Sequence, residues 1–371
     1  MTFGHGGNIY EVARQYKCRP SDIIDMSSNI NPLGPPPGLL EFLNDNLSKI
    51  TRLPEIDNQD TIKSVAEFLA LEPERLLVGN GTTEFIYLIP RALEIKKSLI
   101  VGPTYSDYQD ALNRNQVPAS IFLAGESEGF QPDLNRISKC LNQFDTVYLC
   151  NPNNPTGVLL SHERLYHLCQ SHPEVRFIVD ESYLPFVLNA EKETMLKSGL
   201  SNVLVLLSIS KIFGIPGLRI GFVIANQNHI KKIRQHLLPW SVNSLAQEAV
   251  RFLAGRKKQI EAFLQKTRTF CEKQRLQFHD MFKSSPNIKL YPGRTPFILA
   301  KLALDLSARN VRCQLAEELL LIRNCENFQG LSDHFIRISL KTPETNRLMG
   351  AKLKVLAKDA TMKCATERIA C

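Results

Sequence analysis

The chain has 371 residues, room for two domains or for one large domain with a smaller satellite. It carries 45 lysines and arginines against 37 acidic residues, a net charge of +8 and a pI near 9.0, which favours anionic partners. The basic residues are dispersed with no run of five or more, which argues against a nucleic-acid-binding stripe, and no apolar run is long enough to cross a bilayer.

The nine cysteines are odd in number and include no Cys-x-x-Cys pair, so they read as small hydrophobes of a reduced protein rather than as a disulfide framework. The first eleven residues include His5, Asn8 and Glu11, so no signal-peptide core is expected. These features together predict a soluble cytoplasmic protein.

In chain order, His5-Gly6-Gly7-Asn8 precedes a short helical pattern (Ile9, Val12, Ala13, Tyr16). Residues 25–37 are too rich in proline and glycine for regular structure and predict an extended crossing segment. His5 and Asn29 flank that region, and a structural cap could use either. Residues 39–47 and 61–69 read as amphipathic helices. A short strand at 76–78 enters Gly79-Asn80-Gly81-Thr82-Thr83, after which 85–93 looks helical. Strand, glycine turn and helix start would collect free backbone N–H groups where a phosphate can dock, although a bare Gly-x-Gly is a weak signal.

The strand at 98–101 runs into Tyr105, which could stack on an aromatic ring or pack in the core. The strand at 146–150 ends in Asn151-Pro152-Asn153-Asn154-Pro155-Thr156-Gly157, a rigid turn that sets an amide at the C-terminal edge of a sheet, where α/β proteins place ligands. The strand at 175–179 runs into Asp180-Glu181-Ser182-Tyr183. A carboxylate there is costly unless paired with a cation: a protonated pyridine nitrogen, or a structural salt bridge.

Residues 203–207 form an apolar run that reads as a strand buried on both faces. It delivers Ser208-Ile209-Ser210-Lys211, with Arg219 eight residues later. A lysine placed straight after a buried strand is held back from full solvation, and an amine that attacks an aldehyde must be free of its proton. Arg219, Ser208 and Ser210 could gather around one phosphate. An amine beside a phosphate cradle is the minimum equipment for pyridoxal 5'-phosphate (PLP). A surface turn would account for Lys211 alone, but not for the whole stretch.

A strand at 220–225 and a basic helix at 229–238 follow, and a long helical region at 245–282 leads into a second part with strands at 288–291, 297–301 and 335–340. Helices are expected near 308–319 and 344–357, and a loose polar tail over the last fourteen residues. Arg323 and Arg337 each lie in an apolar stretch, where a guanidinium needs an anion, although an exposed edge strand would also tolerate one. The alternation of strands and helices between 76 and 225 indicates a largely parallel sheet wrapped by helices.

With these motifs in place, the chain resembles the fold-type I PLP enzymes of the aspartate aminotransferase superfamily. Asn154 in Asn-Pro-x-Asn-Pro-Thr-Gly, Asp180 with Tyr183, Ser-x-Ser-Lys211 and Arg219 match its cofactor residues in order and spacing. Within the superfamily it is similar to the histidinol-phosphate aminotransferases and, more closely, to the threonine-phosphate decarboxylases of cobalamin biosynthesis. The features shared with the latter are His5-Gly6-Gly7-Asn8-Ile9, Ser28-Asn29-Ile30-Asn31-Pro32-Leu33-Gly34, Pro239-Trp240-Ser241-Val242-Asn243 and Leu321-Ile322-Arg323-x-Cys325.

The resemblance implies an α/β fold: a large PLP-binding domain (45–245) with a mostly parallel seven-stranded sheet between helices, and a smaller α+β domain (1–44 and 246–371). It implies that Lys211 holds PLP covalently, Asp180 meets the pyridine nitrogen, Asn154 and Tyr183 the ring hydroxyl, and that Tyr105 stacks on the ring. Thr82, Thr83, Ser208, Ser210 and Arg219 would surround the cofactor phosphate, and His5, Gly6, Asn29, Asn154, Arg323 and Arg337 the substrate. It further implies a homodimer, no metal, and decarboxylation of L-threonine O-3-phosphate, with L-serine O-phosphate as a further candidate substrate. A histidinol-phosphate-type aminotransferase and a non-catalytic anion- or nucleic-acid-binding protein are the alternatives. One departure stands out. The family carries Arg-Tyr-Pro where this chain has Arg52-Leu53-Pro54, and a leucine cannot make the hydrogen bond that the tyrosine gives to the neighbouring subunit's cofactor phosphate.

Overall fold

The computed structural model describes residues 6–369, and side chains up to residue 357. Seven strands form the main sheet. In spatial order they are Leu76–Gly79, Gly221–Ile224, Val203–Ser208, Arg176–Asp180, Thr146–Cys150, Ser98–Gly102 and Ala119–Leu123. Only Gly221–Ile224 runs against its neighbours, pairing antiparallel on both sides. The strands are apolar on both faces because both faces are covered. Tyr148, Ile178, Leu204, Leu206 and Val223 point into one core. Their neighbours Val147, Leu149, Phe177, Val179, Val203 and Val205 point into another. Ala119–Leu123, absent from the strands read in the sequence, is the sheet edge. Its apolar run, Ile121-Phe122-Leu123, is short, and none of its residues is buried.

The helical region at 245–282 resolves into two helices, Ser244–Ala254 and Lys257–Phe282. The longer one, of 26 residues, spans two cores: Ile260, Phe263 and Cys271 pack with the main sheet, Phe278 and Phe282 with the smaller one. That smaller sheet is antiparallel, in the order Arg323–Asn324, Phe335–Ser339, Phe297–Leu302 and Ile288–Leu290. The expected loose tail is corrected by the final helix, Pro343–Ile369. Of the seven described cysteines, four are buried and all are free thiols.

The segment at 25–31 crosses between the two sheets, as the prolines and glycines of residues 25–37 suggested. Ile24–Asp25 pairs parallel with Leu320–Leu321, and the Ser339 N–H donates to the Met26 carbonyl at 2.8 Å. At its other end the Asn31 N–H donates to the Lys211 carbonyl at 3.0 Å, and Asn31 Nδ2 donates to the Ile212 carbonyl at 2.6 Å. The smaller sheet and the lysine turn are thereby tied to one short stretch of chain.

Gly221 opens its strand directly beneath the start of the helix Thr82–Ala92. A Cβ there would press on the Thr82 backbone nitrogen and, at 2.8 Å, on the Gly81 carbonyl carbon. Backbone on both sides leaves nothing flexible to yield. Gly221→Ala is therefore expected to cost about 1–3 kcal/mol, read as a fall in melting temperature. An unchanged melting temperature would show that the helix start shifts freely.

Candidate active site

The sheet ends its parallel strands at one edge, and the side chains just beyond them converge. Asp180, the last residue of its strand, is buried, and its oxygens accept from the Tyr108 hydroxyl at 2.8 Å and the Ser182 N–H at 2.9 Å. Burial, and next the Asp180 charge, hold the Tyr108 hydroxyl well above the usual phenol range, so it remains a donor. Both partners of Asp180 are neutral, which leaves its charge to be matched by a cation such as a protonated pyridine nitrogen. Lys211 Nζ lies over the Tyr183 ring, 5.5 Å from its centre. Tyr105, half-buried, meets Tyr108 edge-on at 5.7 Å and forms a side wall.

On one flank the helix Thr82–Ala92 begins with Gly81 at φ +80°, and no side chain caps it. Its first N–H groups are thus available to an anion. A Cβ on Gly81 would meet Arg219 Nη2 at 2.8 Å, so the guanidinium lies against a residue that only glycine can supply. Ser208 and Ser210 are buried beside it, and the Ser210 hydroxyl donates to the Ile220 carbonyl at 2.9 Å. Helix terminus, the Ser208 hydroxyl and a cation match a phosphate dianion, with Ser210 packed beside them.

On the opposite flank Arg323 and Arg337 are directly paired across adjacent antiparallel strands, which sets both side chains on one sheet face. Arg337 is buried. It donates from Nη2 to the Ser27 carbonyl at 2.6 Å and from Nη1 to Asn154 Oδ1, while Nε has no partner among the described residues. Arg323 donates to Asn327 Oδ1 at 2.6 Å. Burial, and next the charge of Arg337, push its guanidinium down to about 10, which still leaves it cationic at neutral pH. These hydrogen-bond partners are all neutral. Asn29 bridges the two flanks, donating from Nδ2 to the Tyr183 hydroxyl at 2.8 Å and accepting from the Ser339 hydroxyl at 2.7 Å.

These groups line a single cleft of about 450 Å³. Every site residue expected from the sequence lines it except His5, which lies outside the described residues. Leu53 does not line it. That side chain is 75% exposed on the surface. Sequence reasoning missed Tyr108, Ser27, Ser339 and Asn327. Tyr108 lies in the first turn of the helix Asp107–Arg114, three residues after Tyr105, and no local pattern marks it. The other three are recruited by strand pairing and loop closure, and carry no local signal.

An amine, an anion cradle and a buried carboxylate, spaced around one cleft at the edge of a mostly parallel sheet, define a fold-type I PLP enzyme. The chain belongs to the aminotransferase class I and II family, whose sequence pattern matches residues 21–351, and that family is PLP-dependent.

Among curated relatives, it is 33% identical to the adenosylcobalamin biosynthesis bifunctional protein CobDQ of Leptospira interrogans, over 92% of this chain but only 40% of that longer protein. It is 30% identical to the threonine-phosphate decarboxylase of Salmonella typhimurium, over 95% of this chain and 96% of the relative. The histidinol-phosphate aminotransferase of Methanocaldococcus jannaschii is 27% identical over 91% of this chain and 90% of its own. The crystal structure of L-threonine-O-3-phosphate decarboxylase from Porphyromonas gingivalis superposes with a TM-score of 0.80 at 29% identity, covering 90% of this chain and 99% of the other.

Next to Asp180, Glu181 turns away from the cleft and lines a second cavity of about 530 Å³. It accepts from the Met195 N–H and the Thr194 hydroxyl, both at 2.6 Å, and burial pushes its carboxyl up to about 7. The folded chain then binds more protons than the unfolded one between the ordinary value of 4.5 and about 7, so stability falls as pH rises through that window. Glu181→Gln should abolish this loss and gain about 1–3 kcal/mol on the wild type between pH 5 and pH 8 in denaturant titrations. Parallel pH dependences in the two proteins would mean that the carboxyl is solvated.

Proposed function

We propose that this chain decarboxylates a phosphorylated α-amino acid, L-threonine O-3-phosphate, to CO₂ and (R)-1-aminopropan-2-yl phosphate, the linker of the cobalamin nucleotide loop. The observation that carries this reading is the cross-strand pair Arg323 and Arg337, two buried guanidiniums with neutral partners on the wall facing Lys211. Like charges held directly opposite each other are unfavourable until anions separate them. A substrate with both a carboxylate and a phosphate brings two.

Lys211 would carry the cofactor, with Asp180 at the pyridine nitrogen, Asn154 and Tyr183 at the ring hydroxyl, and Thr82, Thr83, Ser208, Ser210 and Arg219 around its phosphate. When bound there, PLP supplies an electron sink for whichever bond at the substrate Cα stands perpendicular to its ring. The protein's part is to choose that bond. Arg323 and Arg337 with Gly6 and Asn29 would seat the substrate phosphate strongly and leave the carboxylate perpendicular and weakly held. Loss of CO₂ then removes a poorly stabilised charge, so binding favours the transition state over the ground state. The Lys211 amine would return a proton to Cα.

The identity to the decarboxylase from Salmonella typhimurium over nearly the full length supports this choice. The likeness to a histidinol-phosphate aminotransferase supports the second reading, an aminotransferase on a phosphorylated amine. A homodimer is supported by exposed apolar side chains, Leu47, Ile50, Leu53 and Ile56, on one stretch of surface. No helix among the described residues is long and apolar enough to cross a membrane.

The test is a product assay with L-threonine phosphate and PLP, with and without 2-oxoglutarate. Decarboxylation predicts CO₂ and an amine phosphate without any oxo acid. Serine phosphate should be turned over less well, by the worth of one methyl group, about 1–3 kcal/mol. Glutamate formed only with the oxo acid would make the chain an aminotransferase, and failure to take up PLP would make it a binding protein. Arg323→Lys should raise KM for the phospho-amino acid by roughly ten- to a hundredfold, because a lysine cannot offer two parallel donors.

A further inference from the structure

Asp25 stands at the rim of the cleft, and both its oxygens are engaged by the two serines that follow it. Oδ1 accepts from the Ser27 N–H at 2.8 Å, the Ser27 hydroxyl at 2.6 Å and the Ser28 N–H at 3.2 Å, and Oδ2 accepts from the Ser28 hydroxyl. One carboxylate therefore closes the backbone of residues 25–28 into a fixed turn, through bonds that its charge strengthens.

Ser27 passes this order on in two directions. Its hydroxyl proton is committed to Asp25, so its oxygen is free to accept, and it takes the Gly7 N–H at 2.7 Å. Its carbonyl takes Arg337 Nη2 at 2.6 Å. Gly6 packs between these two links: a Cβ there would collide with the Ser27 carbonyl and lie 3.3 Å from Arg337 Nη2. The orientation of the guanidinium and the seat of the N-terminal arm thus both depend on where the Ser27 backbone is held.

We propose that Asp25 is a positioning residue for substrate binding: acting through Ser27, it aims Arg337 into the cleft and docks the Gly6–Gly7 arm beside it. No contact between Asp25 and substrate is required. The effect is preorganisation, since a guanidinium already held in place spends less binding energy on ordering. The inference rests on the reading of Arg337 as an anion-holding group.

The experiment is calorimetric titration of the amine phosphate product, (R)-1-aminopropan-2-yl phosphate, which keeps the phosphate and has no carboxylate to lose, into PLP-loaded protein, with cofactor content and melting temperature measured on each variant. Asp25→Ala should raise Kd roughly tenfold, while Asp25→Asn, which keeps an acceptor for three of the four donors, should recover most of the affinity. Arg337→Gln should raise Kd by at least as much as Asp25→Ala. Unchanged affinity in Asp25→Ala, with Arg337→Gln impaired, would overturn the positioning role and leave the reading of Arg337 intact. Unchanged affinity in Arg337→Gln would overturn that reading, and this inference with it. Equal weakening by Asp25→Ala and Asp25→Asn, or a loss of PLP that matches the loss of affinity, would reduce Asp25 to a general structural role. Should Asp25→Ala not fold, Ser27→Ala decides: a rise in Kd of about threefold is expected from the lost Gly7 link, and none would refute the proposal.

Discussion

The cleft depends on one short length of extended chain at 25–31. Its carbonyls and amides are the common attachment for groups that arrive from distant parts of the sequence. Ser27 holds Arg337, Asn29 holds Tyr183 and Ser339, and Asn31 holds the Lys211 turn. The segment has almost no regular structure, so its polar groups are not consumed by a ladder and can serve its neighbours instead. Asn31 shows the point most clearly. Its side chain is buried and reaches both the Ile212 carbonyl and the Thr267 hydroxyl, on the long helix that joins the two cores. A buried amide satisfied on several sides specifies one arrangement, because leaving any of its groups unpaired is costly.

Charge is distributed around this frame in a way that suits anionic ligands. Arg219 lies against Gly81 at one flank, and Arg323 and Arg337 face each other across strands at the other, with hydrogen-bond partners that are neutral. Asp180, the carboxylate that ends its strand in the main sheet, is likewise met by neutral donors. None of these three arginines is a hydrogen-bond partner of Asp180. Had they been close enough to pair with it, the desolvation cost would have been offset internally, and a ligand would gain little by entering. The overall charge of +8 has the same sign as the cleft and draws anions toward it.

The main sheet explains how such separate groups come to face one cleft. Parallel strands all end at the same edge, so Cys150, Asp180 and Ser208 occupy neighbouring positions although they are separated by dozens of residues. The antiparallel strand Gly221–Ile224 is the exception that completes the cradle. It enters the sheet from that edge, so the turn before it, carrying Arg219, lies beside the helix start at Thr82. A parallel strand in that position would have begun at the far end of the sheet and left the guanidinium there.

Much of this was legible in the sequence, and the pattern of what was legible has a physical basis. Buried strands announce themselves by composition, and the turns after them by glycine, proline and asparagine, so Lys211, Asp180, Asn154 and the glycine turn before Thr82 could be assigned to strand ends without any knowledge of their neighbours. Those local signals determined the fold class and the class of cofactor. The edge strand Ala119–Leu123 escaped because its apolar run is only three residues long and carries no alternation, and the helix expected at 344–357 continues through residues that were read as a tail. What only the tertiary structure decided was partnership. That Arg323 lies opposite Arg337, that Tyr108 serves Asp180, and that Asp25 reaches Arg337 through Ser27 are facts of strand register and loop closure. They join residues as much as 310 positions apart, and such pairings are set by the packing of whole elements rather than by the residues that happen to meet.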